Sequence, residues 1–194
     1  MSARLVVGAL AVPVELVLGL GAAFSAEADA RTALAGPSMS QPGTPAGTAP
    51  QRYPGGATGC ALPDPTGTGG CVTGATAWLL GQVAAHIHQG PVTCWDAHAW
   101  NPTSDHPLGR ACDYTIGVLG KFPGPADIAR GWALATWLRT YAGALDVSYV
   151  IWQGRIWSRT HDTEGWRPYD GGGVYDPTDV TGGHYDHVHV SLSE

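Results

Sequence analysis

The chain predicts an α+β domain, a small antiparallel sheet with helices packed on one face. Two segments carry apolar residues at helical spacing, 72–88 and 125–141. Four shorter segments are β-branched or alternate apolar with polar residues, and two of them flank a two-residue turn. No internal repeat is present. From Cys60 to Glu194 there are about 135 residues, enough for one core.

The elements follow in chain order. In the first helix Ala75, Leu79, Val83 and Ile87 recur every fourth residue, and Gly90-Pro91 stops it. His86 and His88 stand at its end, two apart, so they share no helical face; they read as cationic residues at a helix C-terminus. Pro91 to Pro107 reads as a loop with a short strand at Val92 to Trp95, in which His98 belongs to an aromatic-rich stretch packed on the domain, with a place lining a cleft as the alternative. A strand follows from Ala111 to Val118. The second helix opens with Pro125 in its first turn and Asp127 near its positive end; Ile128, Trp132, Ala135 and Leu138 share a face, and Arg139 suits its last turn. Val147 to Gln153 and Arg155 to Ser158 flank Gln153-Gly154, a tight hairpin. Residues 159–183, with Gly171-Gly172-Gly173 and Gly182-Gly183, read as a long loop, and such loops are usually functional or mobile. His187 to Leu192 alternates His187, His189 and Ser191 on one face with Val188, Val190 and Leu192 on the other.

Ahead of the domain, Arg4 precedes a mostly apolar run from Leu5 to Phe24, and Ala26-Glu27-Ala28 has the form of a cleavage site. Residues 1–28 therefore read as an export signal, with a retained anchor as the alternative because Pro13 and Glu15 interrupt a long run. Residues 29–59 are rich in Ala, Gly, Pro, Ser and Thr and read as a flexible linker. Four cysteines agree with an oxidising destination. Sequence cannot choose among their three pairings; the favoured one joins Cys60 to Cys71, closing a short loop, and Cys94 to Cys112, stapling the 91–107 loop to the strand behind it.

The net charge of −6 and a single lysine, Lys121, leave no basic cluster to neutralise phosphates, which excludes a nucleic-acid partner. Chemistry concentrates in Ser104-Asp105-His106-Pro107-Leu108-Gly109-Arg110-Ala111-Cys112-Asp113 and in His184-Tyr185-Asp186-His187-Val188-His189. On the last strand His187 and His189 project from one side, about 6.8 Å apart. Gly109 permits a bend between His106 and Asp113. Two neutral imidazoles and one carboxylate around a zinc ion leave a net positive charge and a fourth position for water, the arrangement of a catalytic site. If the segments meet, the chain is a hydrolase.

Ser104-x-His106-x-x-Gly109-x-Ala111-x-Asp113 resembles the signature of the LAS-type zinc peptidases, which take in D-alanyl-D-alanine carboxypeptidases, lysostaphin-type enzymes, murein endopeptidases and the hedgehog domain. His187-Val188-His189 is similar to that superfamily's second motif. More of the chain, from Cys60 to the last strand, is similar to uncharacterised secreted actinobacterial domains. The resemblance implies a hedgehog/DD-peptidase-like fold with His106, Asp113 and His189 as zinc ligands and Asp186 and His187 as catalytic residues. The carboxypeptidase branch places its base three residues before the last ligand, at Asp186; the endopeptidase branch repeats His-x-x-His-x-His, met by His184, His187 and His189. Arg110, Arg52 and Arg155 are the candidates for a substrate-gripping arginine. The expected function is a secreted, monomeric zinc hydrolase of peptide or amide bonds in cell-wall peptidoglycan, touching a membrane only through an uncleaved N-terminal segment. Its alternatives are a non-catalytic zinc module and a metal-free binding domain.

Overall fold

A computed structural model describes residues 49–193. The segments read as an export signal and most of the linker lie outside the described residues. The architecture is α+β, as the periodicities predict. Thirteen residues form helix α1, Gly74–His86, capped by the Thr73 hydroxyl, which accepts from the Thr76 amide. Helix α2, Pro125–Thr140, carries Pro125 in its first turn, Asp127 at its N-terminal end and Arg139 in its last turn. A short helix α3, Ala142–Leu145, follows it. The buried face of α2 is Gly131, Leu134, Ala135, Trp137 and Leu138; Ala135 and Leu138 belong to the expected stripe, whereas Ile128 and Trp132 are only half-buried. At Gly131 a Cβ would overlap the Trp152 indole, so the missing side chain lets the sheet approach on that side.

Strands β1, Leu62–Pro63, and β2, Cys71–Val72, form a small hairpin that no periodicity announces. The main sheet contains β3, Val92–Thr93; β4, Ala111–Thr115; β5, Val147–Trp152; β6, Arg155–Ser158; β7, Arg167–Pro168; and β8, His187–Leu192. Its order is β3-β4-β8-β5-β6-β7, and every pairing is antiparallel. The Gln153-Gly154 hairpin forms as expected, with both residues at positive φ, 52° and 63°. The 159–183 loop is shorter on irregular chain than expected, because a 3-10 turn at Arg159–Glu164, strand β7 and a glycine turn at Gly171–Gly173 interrupt it.

Alternation sorts the two faces of the sheet. Cys112, Tyr114, Val150, Trp152, Val188, Val190 and Leu192 join the core with Leu79 and Val83 of α1 and Leu134, Trp137 and Leu138 of α2. Trp152 and Trp157 are therefore core residues. Asp113, Tyr149, His187 and His189 line a cleft on the other face. Because β8 is central, its histidines are buried although they face that cleft.

Both favoured disulfides are present, Cys60–Cys71 and Cys94–Cys112. Among the described residues no helix is long and apolar enough to cross a membrane. The folded unit begins before Cys60. The Tyr53 amide donates to the Ala144 carbonyl, the Trp78 indole donates to the Gln51 carbonyl, and the Gly74 amide donates to the Thr58 hydroxyl. Opening Cys94–Cys112 by a double alanine substitution is expected to cost about 3 kcal/mol for a loop of this size, read by urea denaturation. A loss well under 1 kcal/mol would show that packing alone holds the loop.

Candidate metal centre

Register brings the two motifs together. Asp113 on β4 stands directly opposite His189 on β8, and Thr115 stands opposite His187. His106 arrives from the loop before β4, which bends at Gly109 with φ 67°. Glycine is required there twice over, because a Cβ would also overlap Cys60 Sγ, the Cys71 carbonyl and Val72 Cα. The turn is closed by the Gly109 amide on the His106 carbonyl, and the Gly109 carbonyl takes the Thr73 amide at the cap of α1.

One donor atom each from His106, Asp113 and His189 lies within 4.8 Å of the others, a grouping that could hold one metal ion. His106 Nε2 is 3.2 Å from Asp113 Oδ2. His189 Nδ1 is 2.8 Å from Asp113 Oδ1. The far nitrogens are also occupied: His106 Nδ1–H donates to the Cys94 carbonyl, and His189 Nε2 is 3.1 Å from the buried Ser191 hydroxyl. Such partners select which nitrogen stays available to a metal. A carbonyl only accepts, so Nε2 of His106 is the donor atom left to a cation. The hydroxyl either donates or accepts, so it serves His189 whether Nδ1 carries a proton or a metal. The Cys94–Cys112 disulfide holds this frame, since Cys94 supplies the carbonyl and Cys112 precedes Asp113.

Without a cation, Asp113 is the counter-ion of the imidazoles. Burial alone would raise its pKa, but His187, His106 and His189 hold its carboxyl well below the usual range. Burial opposes charge on His106 as well, yet Asp113 raises it from 6.5 to about 9. Burial lowers the pKa of His189 despite its bond to Asp113. For a pKa raised on folding, the stabilisation is complete below 6.5 and disappears as pH rises through about 9. The stability gap between chelated wild type and His106→Gln should therefore narrow from pH 6.5 to pH 9, read from paired denaturation curves. A gap that widens over that window would contradict the His106–Asp113 pairing.

His187 lines the cleft, with Nε2 3.7 Å from Asp113 Oδ1. Its Nδ1 is 2.7 Å from Asp186 Oδ1. Asp186 is fully buried, and its second oxygen accepts from the Gly120 amide at 2.7 Å and the Thr181 hydroxyl at 2.9 Å. Burial raises the Asp186 pKa, but these donors bring it below the ordinary value. His187 goes up despite burial, because Asp113 and Asp186 face it. Asp186 thus stands behind His187 and is no part of the cleft wall.

His184, in the left-handed region at φ 57°, packs its ring 4.6 Å from His187 and 5.5 Å from His189. Burial and those neighbours lower its pKa well below the usual value, so it stays neutral. His98, for which the sequence left a place in the cleft open beside packing within an aromatic loop, lines the cleft: its Nδ1 meets the Ser104 hydroxyl at 2.6 Å and its ring lies 4.8 Å from His106. Tyr149 stacks on His189, with ring centroids 5.4 Å apart. Sequence reasoning passed over Tyr149, Tyr169 and Tyr175; only the side-by-side pairing of β5 with β8 would have announced the first of them. His86 instead stacks on Trp137 and His88 meets Tyr114, both remote from this cleft. Arg110 pairs with Asp105 at 2.7 Å, and neither it nor Arg52 nor Arg155 lines the cleft.

No curated protein and no solved structure matches the chain. The family model described as "VldE, C-terminal domain" matches residues 68–185, more than half of it. The matched span contains His106, Asp113 and His184 and stops just before β8, which carries His187 and His189. On that match the chain belongs to the VldE C-terminal domain family.

Proposed function

We propose that this is a secreted zinc-dependent hydrolase of LAS type, with the hedgehog/DD-peptidase-like arrangement, cleaving peptide or amide bonds of cell-wall peptidoglycan. The observation that carries the reading is the fixed orientation of the donors. His106, Asp113 and His189 offer one atom each within 4.8 Å of one another, and the two imidazoles are held from behind by a carbonyl and a hydroxyl. When bound, zinc supplies Lewis acidity that acidifies water and polarises a carbonyl. The two disulfides are in keeping with an oxidising, extracellular setting, and the choice of wall peptide as substrate rests on the resemblance of the motifs.

The chain's own residues divide the remaining work. His187 lines the cleft beside Asp113 with Asp186 on its far nitrogen, and so is the imidazole placed to take a proton and return it to a leaving amine. Asp186 fixes the ring and stabilises its charged form. Of the two assignments open from sequence, the geometry favours His187 as base, with Asp186 as its positioning residue. Asp186→Asn should then lower kcat about a hundredfold or more and move the pH profile of kcat/KM, because a neutral amide no longer stabilises the charged imidazole. An unchanged profile would count against this division.

The test of the reading is metal analysis of the purified chain together with mass spectrometry of wall polymer digested by it. One zinc per chain and released fragments, both lost in His106→Ala, are the expected result. Zinc-bound protein that binds wall polymer without cutting it would identify a binding module. A chain that takes up no zinc would end the reading.

A further inference from the structure

The cleft encloses about 330 Å³, and the chemistry of its walls is uneven. Asp113 and the histidines gather at one end. The rest of the lining is uncharged and includes Trp100, Asn101, Thr103, Tyr169, Tyr175 and the Gly171-Gly172 turn. Among the described residues no arginine or lysine lines it. Most guanidinium groups are engaged elsewhere: Arg110 with Asp105, Arg130 with Asp127, Arg139 with Asp162, Arg159 with Asp146 and Arg167 with Glu164. At the mouth stands Trp100, 64% exposed, its ring edge-on to His98. The Tyr175 hydroxyl accepts from the Asn101 amide at 3.2 Å, which ties the 171–182 segment to the loop that carries Trp100.

We infer that the cleft takes an uncharged internal stretch of a polyamide chain, with no free carboxylate beside the scissile bond, and that Trp100 is its stacking platform. The inference rests on the hydrolase reading for where that bond lies, and it goes further by separating internal cleavage from removal of a terminal residue. A terminal carboxylate entering this cleft sheds its water and meets no arginine or lysine in return; His106 and His187 there already face Asp113 and Asp186, so the newcomer finds no unpaired cation, and burying an unpaired charge is strongly unfavourable. The metal offers no remedy, because a carboxylate seated there occupies the position the reacting carbonyl needs. An internal amide carries no such charge. Hydroxyl, amide and backbone groups can bond to it, and the exposed indole can cover an apolar or ring-shaped portion.

The experiment uses pairs of short peptides with wall-type linkages, identical except that one ends in a free carboxylate and the other in a primary amide. Calorimetric titration of the chelated chain removes any contribution from the metal. The amide is expected to bind at least tenfold more tightly, and Trp100→Ala to weaken amide binding several-fold, up to about tenfold, while melting as wild type does. With zinc restored, only the amide should be cut. Equal or tighter binding of the free acid, or no binding of either peptide, overturns the inference. Release of single terminal residues from the acid also overturns it while leaving the hydrolase reading intact. A tenfold preference for the amide with no turnover of any substrate sinks the hydrolase reading and keeps the inference for a binding cleft.

Discussion

Asp113→Asn is expected to empty the centre of metal while leaving the chain folded. Asp113 is the one carboxylate among the described residues that reaches all three rings: 3.2 Å to His106, 2.8 Å to His189 and 3.7 Å to His187. Asparagine keeps the shape but removes the charge and one strong donor to a cation. Changing groups behind the ligands typically weakens metal binding by about 10- to 100-fold, so losing a ligand should cost at least about a hundredfold. The face that Asp113 occupies is opposite the core, so far-UV circular dichroism should match wild type. Zinc content after dialysis against a zinc buffer reads the result. A variant that keeps one zinc per chain at wild-type affinity would remove Asp113 from the ligand set, and with it the proposed centre.

Gly109→Ala is expected to be the most damaging single-methyl change in the domain. The residue sits at φ 67°, where a Cβ costs about 1–2 kcal/mol by backbone sterics alone. The added carbon also overlaps Cys60 Sγ, the Cys71 carbonyl and Val72 Cα. Two of those neighbours are backbone atoms and the third belongs to a disulfide, so none can swing away. Overpacking of this kind costs about 1–3 kcal/mol more. The sum is about 2–5 kcal/mol, a large part of a domain's stability. The loss should be visible in urea denaturation, and in weakened zinc binding even where the chain stays folded, because the same turn delivers His106. An alanine variant within 0.5 kcal/mol of wild type would show that the turn relaxes freely, and the close approach would lose its meaning.

The parts of the fold read correctly from sequence are those set by short-range periodicity. Ala75, Leu79 and Val83 mark α1, Pro125 and Asp127 open α2, and Gln153-Gly154 turns the β5–β6 hairpin. The two-residue period of β8 places His187 and His189 on one face. Among the features that escaped, two show why. The β1–β2 hairpin is too short for any period to register, and the Cys60–Cys71 disulfide closes the loop that contains its turn. The other is on α2, where Trp152 enters the space left at Gly131 from another element.

The sequence by itself determined which residues carry the chemistry and which of them share a strand face, because side-chain direction along a strand is a local property of the backbone. Only the tertiary structure decided how they work together. It set Asp113 opposite His189, gave His106 the Cys94 carbonyl, placed Asp186 behind His187, and drew His98, Trp100 and the tyrosines around the cleft. Each of these contacts joins segments or side chains whose meeting depends on strand register, chain reversal and burial. Those are long-range outcomes of packing the whole domain, and no short window of residues encodes them.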